Sequence, residues 1–248
     1  MFGPLFEGSH YVVRKADSPE EVRLAQKLRY DVFNVELGEG LTSSVEDQLD
    51  EDPFDVHCEH LIVEYLPEQA IVGTYRLQTG VMAAAGIGYY SAQEFDLTSY
   101  ESYRHKILEL GRACIHADHR KRKVLKLLWR AIAKYAFKHG SRYLIGCSSL
   151  TSQDSDEGWA LYRKLGADYM AAEKFQTEPL PDYRLDPESG KPAEVKCPKL
   201  FATYLGLGAR IAGPPAIDRD FKTIDFFTVF DFEKTRKTGA LDFVKKDD

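Results

Sequence analysis

Short apolar runs and longer amphipathic stretches alternate along the chain and predict strands and helices. Apolar runs bounded by turn residues are typical of buried strands, whereas the spacing i, i+3, i+4, i+7 is typical of helices with one buried face. Strands are predicted at Tyr11–Val13, His60–Tyr65, Ile71–Leu77, Ile107–Ile115, Tyr143–Ser149 and Thr223–Phe230. Helices are predicted from Pro19 to about Val35, between His119 and Gly140, at Asp156–Leu165 with an end at Gly166, and at Leu200–Leu207.

Capping and turn residues mark the borders of several of these elements. Ser18-Pro19-Glu20-Glu21 forms a capping box with proline at the first helical position. Ser91-Ala92-Gln93-Glu94 has the same spacing and predicts a second, short helix. Pro67-Glu68-Gln69 separates two apolar runs and predicts a hairpin.

The order of elements predicts an α/β fold, a mixed sheet flanked by helices. We expect one domain over residues 1–232 and a charged tail over 233–248. No apolar run approaches the roughly 18–20 residues that a membrane span requires. The N-terminus has no signal-peptide pattern, and the four cysteines are far apart. These features predict a cytoplasmic protein.

The segment Arg120–Arg142 is strongly basic, although the chain as a whole is acidic. It contains nine lysines and arginines and no acidic residue, although the whole chain has a net charge of -6. Such a basic helix, entered at its N-terminus through cations, is typical of a docking surface for a phosphate or another anion. A solvated basic face is the alternative. Nucleic-acid binding is disfavoured because the pI is about 5.7 and no nucleic-acid-binding signature occurs.

The strand Ile107–Ile115, which leads into the basic helix, carries Glu109 and Arg112. A strand followed by a helix N-terminus fits a transferase that uses a thioester, because a pantetheine arm can pair with an open sheet edge. Glu109 and Arg112 point to opposite faces of a regular strand. A shared site therefore requires a β-bulge, which Gly111 permits.

Six local strings occur in an order that resembles the ornithine-lipid N-acyltransferases, a GNAT-like branch also called hemolysin-like. More distantly, the series of arginine, phenylalanine, aspartate and glutamate positions is similar to the acyl-homoserine-lactone synthases. The resemblance covers roughly Arg14 to Asp231. The strings are Leu28–Phe33, Asp52–Asp55, Val72–Leu77, Tyr90–Leu97, Leu108–Arg112 and Leu127–Arg130.

The resemblance implies a GNAT-like fold and a bacterial enzyme of lipid biosynthesis. It implies transfer of a fatty acyl group, often 3-hydroxylated, from acyl carrier protein to the α-amine of an amino acid, most commonly ornithine. No permanently bound cofactor is expected, since the acyl-phosphopantetheine thioester is the donor. The glycine-rich pyrophosphate loop of acetyltransferases is replaced by His119–Lys123, which favours an acidic carrier protein over free CoA. The expected donor contacts are Arg120, Lys121, Arg122, Lys123, Lys126 and Arg130.

Aminolysis of a thioester requires a base that takes a proton from the amine. Glu109 is the first candidate, and a structural ion pair with Arg112 or Arg76 is the alternative. Backbone N–H groups freed by a bulge at Arg112 could stabilise the oxyanion. Arg29 and Arg76 are candidates for binding the acceptor's carboxylate or for organising Glu109. An exposed position on a helix is the alternative for Arg29.

Four further residues are candidates for binding the substrates. Asp52 and Asp55 could bind the cationic side chain of the acceptor, or they could belong to an ordinary turn. Phe33 and Phe95 could line the acyl cleft, or they could be core residues. No metal site is expected, because the histidines lack ligand spacing. Asp218, Asp220 and Asp225 receive no role from the sequence.

Two other functions stay open. A synthase of the homoserine-lactone type would use the same fold with a different acceptor. A non-catalytic module would use the basic helix to bind an anionic membrane or another polyanion. Peripheral contact with membrane lipid is also compatible with the enzyme, because its product would be a lipid.

Overall fold

A mixed β-sheet forms the centre of the computed structural model, which describes residues 6–8, 10–120, 122–189 and 194–238. Within these residues the sheet has nine strands in the order β1-β2-β3-β4-β5-β6-β9-β7, and β8 also pairs with β9. The strands are β1 (Phe6–Gly8), β2 (Tyr11–Lys15), β3 (Glu59–Tyr65), β4 (Ala70–Thr79), β5 (Ile107–Ile115), β6 (Tyr143–Leu150), β7 (Arg210–Ile211), β8 (Ala216–Asp218) and β9 (Thr223–Asp231).

Helices connect the strands and cover both faces of the sheet. The α-helices are α1 (Pro19–Tyr30), α2 (Ser44–Asp47), α3 (Gly80–Ala85), α4 (Arg122–Lys138), α5 (Ser155–Tyr169), α6 (Lys199–Leu207) and α7 (Phe232–Thr238). A π-helical segment, Asp31–Glu36, continues α1, and short 3₁₀ segments include Tyr90–Gln93 and Thr98–Lys106. In the part of the chain that the structure describes, no helix combines the length and apolarity needed to cross a bilayer.

The apolar face of α4 packs where its spacing predicts. Val124, Leu128 and Ile132 are buried against Leu61 and Leu108 of the sheet. This face therefore forms the largest part of the core, whereas α1 lies across the opposite face of β4 and β5. The strand β5 pairs antiparallel with β4 and parallel with β6, so α4 is the crossover between two parallel central strands.

The predicted N-cap at Ser18 and the hairpin are confirmed, but the Glu21 carboxylate accepts the N–H of Asp17 instead of closing the capping box at Ser18. Ser18 accepts a hydrogen bond from the N–H of Glu21 at 3.3 Å, and Pro19 begins α1. The segment Leu66–Gln69 connects β3 to β4. The second capping box is wrong, because Ser91 lies inside the 3₁₀ turn and its backbone carbonyl, not its hydroxyl, accepts the N–H of Glu94.

Other differences from the sequence expectation concern element ends and short strands. The helix expected to stop at Gly166 continues to Tyr169, since a glycine inside a helix lowers stability without ending it. The strands β7 and β8 were not predicted, because two or three residues are too few for a periodic pattern. Both lie beside β9, which is buried along nearly its whole length.

Candidate active site

The two parallel central strands separate part-way along their length. Pairing between β5 and β6 covers Ile107–Glu109 and Tyr143–Ile145 and then stops, while β5 stays paired with β4 and β6 with β9. Gly146 lies at the start of the split, where a Cβ atom would be 2.3 Å from the carbonyl oxygen of Leu110. Beyond this point the facing strand edges are available to an extended ligand.

A small, open pocket lies at this split, on the α4 side of the sheet. Leu110 and Gly146 border it from the two strands, and Trp129 of α4 and Tyr204 of α6 form part of its wall. The hydroxyl groups of Tyr75 and Tyr204 are hydrogen-bonded at 2.5 Å, which fixes the two rings. The lining is largely apolar and aromatic, and therefore suits an acyl thioester arm. The complete lining is Tyr75, Leu110, Trp129, Leu144, Ile145, Gly146, Cys147, Ser148, Tyr204, Ala209, Thr228 and Phe230.

A β-bulge interrupts β5 at Arg112. The register with β4 shifts between Thr74 and Arg76, so two residues of β5 oppose one residue of β4. Arg112 has a φ of +49°, the left-handed conformation that a bulge of this kind requires. Glu109 and Arg112 consequently both contact Tyr90, on the face opposite the pocket. The expected bulge is confirmed, with Arg112 rather than Gly111 in the left-handed conformation.

Three arginines and three aspartates interleave beside the bulge in one buried ion-pair network. We define the network as Arg29, Arg76, Arg112, Asp50, Asp52 and Asp55. Its formal charges cancel, which is the condition under which so many ionised groups can be buried.

Each aspartate of the network bridges two arginines. Arg29 binds Asp55 with two hydrogen bonds, from Nη1 to Oδ1 at 3.0 Å and from Nη2 to Oδ2 at 2.7 Å. Arg76 Nη1 donates to Asp52 Oδ1 at 2.6 Å and to Asp55 Oδ1 at 2.8 Å. Asp50 completes the series because it pairs with both Arg29 and Arg112.

Asp50 and Asp52 anchor Arg112 from the other side of the network. Arg112 Nε donates to Asp50 Oδ1 at 3.1 Å, and its Nη2 donates to Asp52 Oδ2 at 3.0 Å. The guanidinium lies 4.7 Å from the ring centroid of Tyr90 and 4.6 Å from that of Phe221. These contacts fix the bulged residue in a single position.

The network controls the protonation of Asp55. Burial alone would raise the pKa of Asp55, but Arg29 and Arg76 outweigh this effect and hold the pKa well below its ordinary value. The same burial lowers the pKa of the neighbouring His60, despite the opposing attraction of Asp55. The aspartate is therefore ionised and the histidine neutral at pH 7.

Glu109 is buried and holds the chain segment opposite β5. Its Oε2 accepts the N–H of Tyr90 at 2.9 Å, and its Oε1 accepts the N–H of Ser91 at 2.8 Å. Burial raises the pKa of Glu109 above its ordinary value, and the two backbone N–H groups partly offset that rise. The carboxyl group thus combines an elevated basicity with a fixed position at the last residue before the split.

The chain matches known proteins over nearly its whole length. It is 33% identical over 246 residues to the L-ornithine N(alpha)-acyltransferase of Brucella abortus (strain 2308), covering 90% of this chain and 84% of the relative. It is 31% identical over 232 residues to the enzyme of the same name from Rhodobacter capsulatus, covering 89% and 90%. The chain belongs to the L-ornithine N(alpha)-acyltransferase family.

The fold comparisons agree with this family. Residues 28–130 match the family model for an acetyltransferase (GNAT) domain. The acyl-homoserine-lactone synthase LasI aligns with a TM-score of 0.55 at 15% identity, covering 94% of this chain and 95% of that one. FeeM, an N-acyl amino acid synthase from uncultured soil microbes, aligns with a TM-score of 0.56 at 12% identity, covering 93% and 96%. The predicted GNAT-like fold is confirmed, and the family makes this chain an N-acyltransferase.

The residues that the sequence suggested as substrate contacts differ in burial and in hydrogen bonding in the structure. Arg29 is completely buried, so its interpretation as an exposed helix residue is wrong. Arg76 is also buried, but its Nη2 atom has no hydrogen-bond partner within the described residues. Asp52 and Asp55 do accept backbone N–H groups in a turn, and both also belong to the ion-pair network.

The two candidate phenylalanines lie in the core of the acyltransferase and do not border the pocket at the split. Phe33 packs edge-on against Phe221, with ring centroids 5.3 Å apart. Phe95 packs against Phe227, with centroids 5.5 Å apart. Both lie on the network side of the sheet, where they support Arg112 and β9.

The basic segment is only partly available as an anion site. Arg120 forms a forked ion pair with Glu36, and its Nε donates to the carbonyl of Ile115 at 3.0 Å. Lys123 is exposed, whereas Lys126 and Arg130 are half-buried along α4. Lys121 lies outside the described residues, as does the side chain of Arg122.

Sequence reasoning missed several residues of the site. Asp50 stands two residues before the Asp52–Asp55 string and could have been found as a third carboxylate of that loop. Glu94 was attributed to a helix cap, although it is 2% exposed and lies beside Asp225 and Cys147. The ligand atoms of these three residues are within 4.8 Å of one another, and they form a group with the donor types of a metal site.

Proposed function

We propose that this N-acyltransferase moves a fatty acyl group from acyl carrier protein to the α-amine of ornithine. The product would be a lyso-ornithine lipid. The observation that carries the proposal is the split between β5 and β6, which adjoins both an apolar pocket and a rigid polar site. The relatives' name, L-ornithine N(alpha)-acyltransferase, supports the acceptor and the nitrogen that is acylated.

The thioester arm would enter the split as an added strand. Its amide groups would pair with the free edges of β5 and β6, and the acyl chain would fill the pocket bordered by Leu110 and Trp129. The carbonyl carbon would then lie near the end of the pairing at Glu109, within reach of an amine that approaches from the network face. Position and orientation alone account for much of the rate of such a reaction.

Direct aminolysis needs one base and one oxyanion site. The amine nitrogen attacks the thioester carbonyl, the C–S bond breaks, the amine loses a proton, and the pantetheine sulfur leaves as a thiol. Glu109 would accept the proton, directly or through one water, since each of its oxygens keeps a second lone pair. Backbone N–H groups at the Arg112 bulge would stabilise the oxyanion, an effect of about 3–4 kcal/mol for a good donor.

The arginines of the network would act at different distances from the acceptor. Arg29 pairs with Asp50 and Asp55 through its Nη atoms and would organise the loop that holds Arg76 and Arg112. The unpartnered Nη2 of Arg76 would bind the acceptor's α-carboxylate, which a plain amine lacks. The network would thus favour an amino acid over a plain amine through one N–H donor group of Arg76, while the hydrogen bonds between its arginines and aspartates stay intact.

Carrier protein is favoured over free CoA as the donor. The residues after β5 contain no glycine-rich loop for the CoA diphosphate, and α4 begins with cations that suit an acidic protein surface. A short-lived contact with membrane lipid would let the lipid product leave.

The test of the proposed function is an acyl-transfer assay with purified protein, two donors and a panel of amino acids. The donors are a 3-hydroxyacyl carrier protein and the matching acyl-CoA, and products are identified by mass spectrometry. We expect N-acyl-ornithine from the carrier-protein donor. Acylation of another amino acid would show that the acceptor is not ornithine, and a preference for acyl-CoA would show that the donor is not carrier protein. No product from any pair of donor and acceptor would overturn the proposal.

A further inference from the structure

Three buried carboxyl groups converge on the network side of the sheet without cationic partners. We call Glu94, Asp218 and Asp225 the acidic cluster; their exposed fractions are 2%, 7% and 5%. Asp225 belongs to β9 and Asp218 to β8, and Glu94 follows the 3₁₀ turn Tyr90–Gln93. Among the residues that the structure describes, no ion pair joins any of the three to a lysine or arginine.

Two oxygen atoms of the cluster are unsatisfied. Glu94 Oε2 and Asp225 Oδ1 are buried and have no hydrogen-bond partner within the described residues. A buried acceptor without a partner destabilises the fold, and more so if it is charged. A bound ion or ligand is one of the features that explain such a group in a native protein. One carboxylate oxygen of Glu94 lies within 4.8 Å of one of Asp225, so a small ligand can contact both residues.

The repulsion among the carboxylates of the cluster is not balanced inside the protein, so their protonated forms are favoured. Burial and the neighbouring Asp225 and Asp218 raise the pKa of Glu94 well above its ordinary value. Burial raises the pKa of Asp225 to about 6, and Asp218 and Glu39 contribute to the rise. Arg112 attracts Glu94, but it is already shared between Asp50 and Asp52. A bound cation would remove this imbalance.

Cys147, which lies beside Glu94 and Asp225, is connected to the proposed base by two hydrogen bonds. Cys147 Sγ donates to Ser91 Oγ at 3.6 Å, and the N–H of Ser91 donates to Glu109 Oε1 at 2.8 Å. Cys147 is two residues beyond Ile145, where the pairing of β5 with β6 ends. The acidic cluster therefore lies beside the split, close enough to Glu109 for its carboxyl group and that of Glu94 to affect each other's ionisation.

An ammonium ion suits this environment better than a metal ion. Burial and the neighbouring Glu94 and Asp225 raise the pKa of Cys147 well above its ordinary value, so the thiol stays protonated and is a poor metal ligand. An ammonium group has three donors and no acceptor, which matches the unsatisfied oxygens of Glu94 and Asp225.

We propose that the acidic cluster binds the side-chain ammonium group of the amino-acid acceptor, with Glu94 and Asp225 as its direct partners. This inference rests on the proposed function, and it assigns the choice of a cationic acceptor to residues outside the Arg–Asp network. Asp52 and Asp55, which the sequence suggested for this role, already bind arginines. The α-amine would then point towards Glu109 while the side-chain ammonium lies in the cluster.

The test compares ornithine with norvaline, which has the same carbon skeleton without the side-chain amine. For the wild type we expect kcat/KM to be at least about 100-fold higher for ornithine, because norvaline leaves the cluster unpaired. Glu94→Gln and Asp225→Asn should each lower kcat/KM for ornithine about 10-fold or more and leave the value for norvaline unchanged or higher. Asp96→Asn is the control, since this exposed residue is two positions from Glu94 and bonds to Thr98.

A binding measurement separates failure of this inference from failure of the proposed function. Calorimetric titration of the wild type with ornithine, norvaline and Mn²⁺ should show binding of ornithine that Asp225→Asn abolishes. If Asp225→Asn abolishes ornithine binding but the wild type acylates no amino acid, the proposed reaction is overturned, while the cation site is still supported. Three results would overturn the inference. The wild type could use ornithine and norvaline equally well, or both cluster variants could bind ornithine as tightly as the wild type does. The third result is that the cluster binds Mn²⁺ in place of the amine. Melting temperatures verify folding, and both variants should be at least as stable as the wild type because each removes an unpaired buried carboxylate.

Discussion

At the scale of single residues, the site depends on which charges are balanced and which are not. Arg29, Arg76 and Arg112 each have aspartate partners, and this makes the network a rigid support. Residue types were visible in the sequence, but pairings were not, because partners such as Arg112 and Asp50 are brought together by the fold. The role of Glu94 was hidden for the same reason: its spacing from Ser91 imitates a helix cap.

Removing Asp55 should destabilise the protein strongly. Asp55→Ala leaves Arg29 and Arg76 buried with fewer counter-charges, and we expect a loss of about 3–5 kcal/mol in the free energy of unfolding, measured with urea. Asp31→Ala is the control; it removes a half-exposed pair with Lys27 and should cost less than about 0.5 kcal/mol. Equal effects of the two changes would contradict the role of the network.

The Asp55 contribution should also depend on pH in a defined direction. Its pKa is depressed in the folded protein, so the stabilisation is complete above the pKa of the unfolded chain, about 3.9, and is lost as the pH falls below it. The difference in unfolding free energy between wild type and Asp55→Ala should therefore shrink from pH 7 to pH 3. A difference that is independent of pH would show that Asp55 acts through packing alone.

Glu109 is expected to act as a base, with a measurable effect on the pH profile. Glu109→Gln should lower kcat about 100-fold or more with a small change in KM. For the wild type, kcat/KM should rise with pH through the elevated pKa of Glu109, because only the carboxylate accepts a proton. A variant that keeps activity but melts at a lower temperature would assign Glu109 solely to holding the N–H groups of Tyr90 and Ser91.

At the scale of elements, the strand β5, the helix α4 and the split beside them produce the site together. The apolar face of α4 and the need for a bulge in β5 were predictable, because both follow from residue spacing. The point at which β5 and β6 separate was not, since pairing between distant strands depends on the whole sheet. Gly146 lies at that point. A glycine is required there because the backbone approaches the Leu110 carbonyl closely, and this contact is visible only in the fold.

A methyl group at Gly146 should disturb the split. The Cβ atom of Gly146→Ala would lie 2.3 Å from the Leu110 carbonyl oxygen, so β5 and β6 must move apart. We expect a loss of stability of about 1–3 kcal/mol and a rise in KM for the thioester donor. Gly206→Ala, inside α6 with no atom within 4 Å, is the control and should stabilise the protein by about 0.5–1 kcal/mol.

The proposed docking surface for the carrier protein is the N-terminal part of α4. Lys126→Glu should raise KM for the carrier-protein donor about 10-fold, and the effect should weaken as salt is added. Lys138→Glu makes the same charge change in the last turn of the helix and should have little effect. Equal effects of the two variants would indicate that net charge, rather than a docking surface, controls the reaction.

At the scale of the molecule, the sheet would divide the proposed donor site from the proposed acceptor site. The apolar pocket and α4 lie on one face, and the Arg–Asp network with the acidic cluster lies on the other. We expect the two substrates to meet where β5 and β6 separate. The α/β class and the family resemblance could be predicted from ordered strings along the chain, whereas this division needed the strand order and the bulge.

The most direct test of the proposed reaction is the position of the acyl group in the product that the wild type forms from 3-hydroxyacyl carrier protein and ornithine. Tandem mass spectrometry distinguishes acylation of the α-nitrogen from acylation of the side-chain nitrogen. We predict the Nα product, because the side-chain ammonium would be held by Glu94 and Asp225 and the α-amine would face Glu109. Acylation of the side-chain nitrogen, or no N-acylated product at all, would contradict it.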